Sequence, residues 1–161
     1  MSAEKKRQKG VLGLIIALVA ILTFSVVFVG AVGGWFSDPK VKLSEEYYGD
    51  YSMTDLTGEE YERLVEEGKS FVVFVDQGGC TTADRLRGFV EKWATDAGVR
   101  VYRMMFADMK EASLHDSVKY YPSFVVVSKG KPHAWLRADA DEDADAYNDY
   151  DAFVRWVGER L

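Results

Sequence analysis

Residues 71–98 read FVVFVDQGGCTTADRLRGFVEKWATDAG and combine a strand, a glycine turn and a helix. The run Phe71–Val75 is apolar at every position and rich in β-branched residues, which predicts a strand buried on both faces. After the turn, apolar residues recur at steps of three and four, which predicts an amphipathic helix ending at Gly98. These apolar positions are Leu86, Phe89, Val90, Trp93, Ala94 and Ala97. A strand buried on both faces needs helices on both sides of its sheet, so the stretch predicts an α/β fold.

The flanking sequence extends this pattern in both directions. Thr57 and Glu60 fit a capping box that begins a helix, and Gly68 ends that helix. The later predicted elements are a strand at 99–106, a helix at 111–119, strands at 124–127 and 133–138, and a C-terminal helix. The order α-β-α-β-α-β-β-α implies parallel crossovers followed by an antiparallel hairpin strand. The prediction is a mixed sheet with helices on both faces.

Composition narrows the possible functions. The 161 residues are 48% hydrophobic and 14% aromatic, enough for one packed domain but not for a two-domain enzyme. The formal net charge of −6 argues against a nucleic-acid partner. One cysteine excludes an internal disulfide, and with two histidines it leaves no residue set typical of a zinc site. We therefore expect neither a metal nor a cofactor.

An uncharged run occupies residues 11–36. As a helix it would extend about 39 Å, more than the roughly 30 Å of a bilayer's hydrocarbon core. It follows four cations in the tail at 1–10: Lys5, Lys6, Arg7 and Lys9. The sequence therefore predicts a single transmembrane helix that contacts the lipid bilayer, with residues 1–10 in the cytoplasm and the rest outside the cytoplasm. A signal peptide cleaved near the small residues at 30–33 is the alternative.

The exported part divides into a tether and a domain. Residues 37–53 contain Pro39, Gly49 and mixed charges without a period, which predicts a tether at 37–53 and a folded domain at 54–161. Tyr47 and its neighbouring tyrosines suggest that the end of the tether packs on the domain.

An acidic segment at 139–151 begins with four aspartates at alternating positions: Asp139, Asp141, Asp143 and Asp145. This spacing resembles the start of a calcium loop. An EF-hand requires glycine at its sixth position and glutamate at its twelfth, where this chain has Ala144 and Tyr150. A solvated acidic loop is the preferred interpretation, with calcium binding as the alternative.

Cys80 is the candidate for chemistry because it lies between the buried strand and the helix. Unpaired N–H groups at a helix N-terminus favour a thiolate and lower the pKa of a cysteine. Arg85 and Arg87 would add to this effect, and Asp84 would oppose it. The alternative is that Cys80 is a small packed hydrophobe. His115 and His133 are interpreted as surface residues.

The order of elements, Cys80 at its turn and the sequence Tyr121-Pro122-Ser123 before a Val-rich strand resemble the thioredoxin-like family over residues 54–161. The resemblance implies that Cys80 is the nucleophile and that Pro122 has a cis peptide bond. It also implies that the Tyr121 backbone pairs with an extended peptide. The substrate-binding residues implied are Gly79, Thr81, Thr82, Tyr121, Pro122 and Ser123.

Three departures from the family pattern limit the function. Ala83 replaces the resolving cysteine, Gly79 replaces a tryptophan, and Phe74 replaces a buried acid. Without a second thiol, dithiol cycling within one molecule is excluded. The prediction is monothiol exchange through Cys80 with a cysteine-containing partner, in a membrane-anchored protein of the cell envelope. The alternatives are an adaptor that binds an extended peptide without chemistry and a structural envelope protein.

Overall fold

Five strands form one mixed sheet in the computed structural model, which describes residues 39–161. The strands are β1 (Met53–Asp55), β2 (Phe71–Asp76), β3 (Val101–Met105), β4 (Ser123–Ser128) and β5 (Lys131–Trp135). Their order across the sheet is β1-β3-β2-β4-β5. Strands β1 and β2 both run parallel to β3, which lies between them. Strand β4 is antiparallel to β2, and β5 is antiparallel to β4. The short strand β1 was not predicted from the sequence.

Helices cover both faces of this sheet. They are α1 (Gly58–Glu66), α2 (Thr81–Ala97), α3 (Phe106–Met109), α4 (Leu114–Ser117), α5 (Ala144–Asn148) and α6 (Tyr150–Gly158). The predicted capping box is confirmed, because the Glu60 N–H donates to Thr57 Oγ1 at 3.2 Å and the Thr57 N–H donates to Glu60 Oε2 at 3.0 Å. Gly98 ends α2 in the left-handed conformation, as glycine does most easily.

The side chains of β2 alternate between two cores, which confirms that the strand is buried on both faces. One core lies under α2 and α6 and includes Val72, Phe74, Leu86, Val90, Phe124, Phe153 and Trp156. The other lies under α1, α3 and α4 and includes Tyr61, Phe71, Val73, Val75, Met104, Met109 and Leu114. Both ends of β2 are therefore fixed by packing on each side of the sheet.

The direction of β4 corrects the predicted topology. A parallel crossover from β3 to β4 was expected, but β4 runs antiparallel to β2. The predicted helix at 111–119 is replaced by two four-residue helices, α3 and α4. Each is about 6 Å long, too short to return along a strand of about 16 Å. As a result, β4 begins at the same sheet edge where β2 and β3 end.

Residues 39–53 belong to the folded unit, which corrects the predicted tether. Three of their side chains are buried: Val41, Leu43 and Tyr47. The Val41 N–H donates to the Arg160 carbonyl at 2.7 Å, and the Ser44 N–H donates to the Ser70 carbonyl at 2.8 Å. These contacts hold the segment at the end of the sheet where β2 begins. The expected packing of Tyr47 on the domain is confirmed, whereas the two backbone hydrogen bonds were not predicted because their partners are distant in the chain.

The predicted cytoplasmic tail at 1–10 and the predicted membrane helix at 11–36 lie outside the described residues. Within residues 39–161, no helix has both the length and the apolar character needed to cross a bilayer. The membrane topology therefore stays a prediction from the sequence.

Candidate functional site

Cys80 is the residue that immediately precedes α2, at the sheet edge where β2 ends. Its backbone is extended, with φ −114° and ψ 125°, and its side chain is partly exposed. This is the N-cap position, whose neighbouring N–H groups have no partner within the helix. A helix of 17 residues also directs the positive end of its dipole toward the thiol. The structure therefore places Cys80 where a thiolate is stabilised and accessible.

The pKa of Cys80 is lowered from its ordinary value. The main causes are the backbone N–H groups of Ala83 and Thr82, with a smaller contribution from the Thr82 hydroxyl. Partial burial and the charge of Asp84 act in the opposite direction. The expected opposition from Asp84 is confirmed.

The expected support from Arg85 and Arg87 is wrong, because both side chains bind elsewhere. Arg85 contacts Asn148 in α5. Arg87 forms a bidentate pair with Asp76, with Nε–Oδ2 and Nη2–Oδ1 distances of 3.1 and 3.0 Å. Neither arginine is among the main causes of the lowered pKa of Cys80. The helix N-terminus, not a neighbouring cation, favours the thiolate.

Asp76 is a buried acid that the sequence analysis did not identify. It is the last residue of β2, its side chain is 3% exposed, and Arg87 is its charged partner. Phe74, which the resemblance aligns with the family's buried acid, is fully buried in an apolar core. Asp76 lies two residues later and joins the end of the strand to α2. The turn that carries Cys80 is thereby fixed at both ends.

Gly78 and Gly79 form the turn between Asp76 and Cys80. Gly79 has φ +78°, a conformation that side-chain-bearing residues rarely adopt, and it is exposed. A Cβ placed on Gly78 would lie 3.8 Å from Met105 Cε, so the Met105 side chain lies beside the turn. Met105 is 39% exposed. The resemblance places a tryptophan at the position of Gly79. In this chain, the backbone of the glycine turn and the Met105 side chain therefore border Cys80 instead.

Tyr121 and Pro122 face the same sheet edge, because Ser123 pairs with Val75 near the end of β2. The Tyr121–Pro122 peptide bond is cis, as the resemblance implies. Within residues 39–161, no hydrogen bond engages the backbone N–H or carbonyl of Tyr121. This backbone is therefore available to an extended peptide that approaches Cys80.

The Tyr121 side chain is held in place by three neighbouring residues. Its ring lies 4.4 Å from the Phe106 ring, measured between centroids. Its hydroxyl is 3.2 Å from His115 Nδ1 and 3.3 Å from the Val118 carbonyl. His115 is only partly exposed, and it serves as a neighbour of Tyr121 rather than a free surface residue. Tyr120, 54% exposed, adds to the apolar surface of this edge.

Ser123 does not line the site with its side chain, contrary to the prediction. It is fully buried, and its hydroxyl donates to the Leu136 carbonyl at 2.7 Å. Its backbone pairs with Val75 of β2, and its side chain bonds instead to the residue that follows β5. Thr81 is exposed and Thr82 partly exposed, so both remain on the surface of the first turn of α2.

The acidic segment contains a buried carboxylate instead of a fully solvated loop. Asp143 is 5% exposed and accepts from the Arg137 N–H at 2.9 Å and from Trp156 Nε1 at 3.2 Å. Within residues 39–161, no three acidic, histidine or cysteine side chains gather as metal ligands. In the following helix α5, the buried Tyr147 hydroxyl donates to the Pro122 carbonyl at 2.7 Å. The segment therefore reaches the candidate site, which its composition did not indicate.

No known protein-family profile and no curated protein matches the sequence. Several solved structures do resemble the protein. Thioredoxin of Fasciola hepatica aligns over 68% of this chain and 100% of its own, with 21% identity and a TM-score of 0.52. Oxidised thioredoxin of Plasmodium falciparum aligns over 67% and 97%, with 14% identity and a TM-score of 0.52. Thioredoxin f of spinach chloroplast aligns over 70% and 90%, with 12% identity and a TM-score of 0.52. These likenesses confirm the predicted thioredoxin-like fold.

Proposed function

We propose that this protein is a membrane-anchored, extracytoplasmic thioredoxin-like protein that exchanges disulfides through the single thiol of Cys80. The observation that carries the proposal is the position of Cys80: partly exposed, at the N-terminus of a long helix, with a lowered pKa. The unpaired Tyr121 backbone at the same edge supports a protein or peptide substrate.

The reaction is one disulfide exchange followed by release. The Cys80 thiol loses its proton to solvent, and its thiolate attacks one sulfur of a partner's disulfide. The partner's bond breaks, a Cys80–partner disulfide forms, and the second partner sulfur leaves as a thiolate that takes up a proton. The thiolate of a small molecule or of another protein then attacks the partner's sulfur in this mixed disulfide, forms a new disulfide with the partner, and releases Cys80 as a thiolate that takes up a proton. The outside thiol is required because Ala83 occupies the position of a resolving cysteine.

The test of the thiol is its alkylation rate against pH. We expect the rate with iodoacetamide to reach half its maximum below about pH 8.5, the value for a free thiol. Only the thiolate reacts, so the rate falls as the pH falls through the pKa of Cys80. Asp84→Asn should move the midpoint to lower pH, because the charge of Asp84 raises this pKa. A midpoint above that of a free thiol, or a need for denaturant, would contradict the proposal.

The second candidate function is an adaptor that binds an extended peptide without chemistry. Two fully buried side chains favour it: Phe74 at the family's position for an acid, and Ala83 at its position for a thiol. Neither residue can accept a proton or resolve a disulfide. The alkylation profile separates the two functions, since an adaptor does not require a reactive Cys80.

The proposed location rests on the uncharged run at 11–36 and the cations before it. We expect protease added to intact spheroplasts to digest the domain at 39–161 while a cytoplasmic marker survives. An epitope placed before residue 1 should remain in the membrane fraction if the segment is an anchor, and should be lost if it is a cleaved signal peptide. Full protection of the domain, while an exported control is degraded, would contradict the topology.

A further inference from the structure

The acidic segment contacts the candidate site through a hydrogen bond that takes no part in the proposed reaction. Tyr147, in α5, is 5% exposed, and its hydroxyl donates to the Pro122 carbonyl over 2.7 Å in a buried environment. Proline has no backbone N–H, so the carbonyl is the only hydrogen-bonding group of Pro122. Tyr147 therefore supplies the contact that fixes this residue's peptide plane.

The segment that carries Tyr147 is itself held from several sides. Before α5, Asp143 receives its bonds from Arg137 and Trp156. At the end of α5, Asn148 contacts Arg85 of α2, the helix that begins after Cys80. Asp149 then caps α6 by accepting from the Ala152 N–H at 2.7 Å. Tyr147 is thus presented by a fixed support that touches the Cys80 helix as well as Pro122.

We infer that Tyr147 is a positioning residue for the Cys80 site: its buried hydroxyl fixes the Pro122 carbonyl and, through it, the Tyr121 backbone that receives a partner. The inference rests on the proposed function, because it concerns the same site. An extended peptide pairs best with a backbone that is already ordered, since ordering it on binding weakens the complex. Burial raises the pKa of Tyr147, so the hydroxyl keeps its proton and remains a donor.

The test compares two disulfide probes with the same leaving group. One is dithiobis-nitrobenzoate, and the other is a short peptide whose cysteine forms a mixed disulfide with thionitrobenzoate. Attack of Cys80 on the peptide sulfur forms a Cys80–peptide disulfide and releases coloured thionitrobenzoate, which leaves readily because its thiol pKa is low. The peptide probe needs the Tyr121 backbone, and the small probe does not.

We expect Tyr147→Phe to slow the peptide reaction about threefold to tenfold, the effect of losing one ordinary hydrogen bond. Its reaction with the small probe, and the pH midpoint of that reaction, should match the wild type. Tyr61→Phe is the matched control, because the Tyr61 hydroxyl is also buried but has no hydrogen-bond partner in the described part of the chain. That variant should react with both probes at wild-type rates.

The remaining outcomes overturn the inference in distinguishable ways. Wild-type rates with both probes for Tyr147→Phe would show that the contact does not act on the site. An equal loss with both probes, or a variant that does not fold by circular dichroism, would assign Tyr147 a merely structural role. A wild-type chain that reacts with neither probe would instead refute the proposed exchange function, and the positioning role would fall with it.

Discussion

Replacing Ala83 with cysteine should shorten the lifetime of a disulfide between Cys80 and a peptide on the order of a hundredfold. In thiol-free buffer the wild-type complex has no group that can resolve it, because its 161 residues contain one cysteine. Ala83 lies three residues after Cys80, and positions with this spacing share a helix face. The Ala83 N–H is already close enough to lower the pKa of Cys80. A thiol there would act intramolecularly, at a high effective concentration.

The measurement is the release of peptide from purified mixed disulfides, followed by mass spectrometry. Gly88→Cys is the matched control: it adds a thiol to the exposed surface of α2, with no atom within 4 Å of the new Cβ. Its complex should persist like that of the wild type. Cys80→Ser should form no complex. If Ala83→Cys leaves the complex as long-lived as Gly88→Cys does, the site lacks the geometry for resolution, and the adaptor function becomes the better account.

A large loss of stability is expected for Arg87→Met. It removes the charged partner of Asp76, whose side chain is 3% exposed, and leaves that carboxylate buried. Breaking a buried pair in this way costs about 3 kcal/mol of unfolding free energy, at the lower end of the usual range because Arg87 is itself 27% exposed. The denaturant midpoint should fall with an unchanged slope.

Two further variants test why Arg87→Met should lose stability. Arg85→Met removes an exposed arginine from the same helix and should change the unfolding free energy by about 0.5 kcal/mol or less. The double variant Asp76→Leu with Arg87→Met removes both charges and should recover most of the stability, since apolar pairs often replace buried ion pairs without loss. A double variant no more stable than Arg87→Met would show that lost packing, not an unpaired carboxylate, explains the effect.

The parts of the fold that were predicted correctly depend on periodicity. Every residue of the run at 71–75 is apolar, and the helix after Cys80 places its large apolar residues on one face, so both elements and both cores follow from local pattern. The three residues of β1 have no such pattern, because β1 is an outermost strand of the sheet and its residues are mostly exposed. Its pairing with β3 was therefore not predicted. The antiparallel direction of β4 depends on the short length of the helices between β3 and β4, and the spacing of apolar residues does not predict that length.

The site was predicted only in part, because its polar contacts join distant residues. Cys80 and Pro122 were identified from local sequence and the resemblance. Asp76 follows the apolar run at 71–75 and would ordinarily be read as the exposed end of the strand. Its pairing with Arg87 explains why it is buried instead. Tyr147 lies within an acidic run whose composition indicates solvation, yet its hydroxyl reaches a residue 25 positions earlier. The presence of a tyrosine, one of two in the run at 139–151, was the only signal available.

The docking of residues 39–44 has a steric consequence for any partner. The Ser44 N–H binds the Ser70 carbonyl just before β2 begins, whereas Cys80 follows the end of that strand. Six strand residues separate these points by about 20 Å. Residues 39–44 and the thiol therefore lie at opposite ends of the sheet. A partner as large as a folded protein can approach Cys80 without colliding with residues 39–44, and attaching the domain to a solid support through residue 39 would leave the thiol facing the solution.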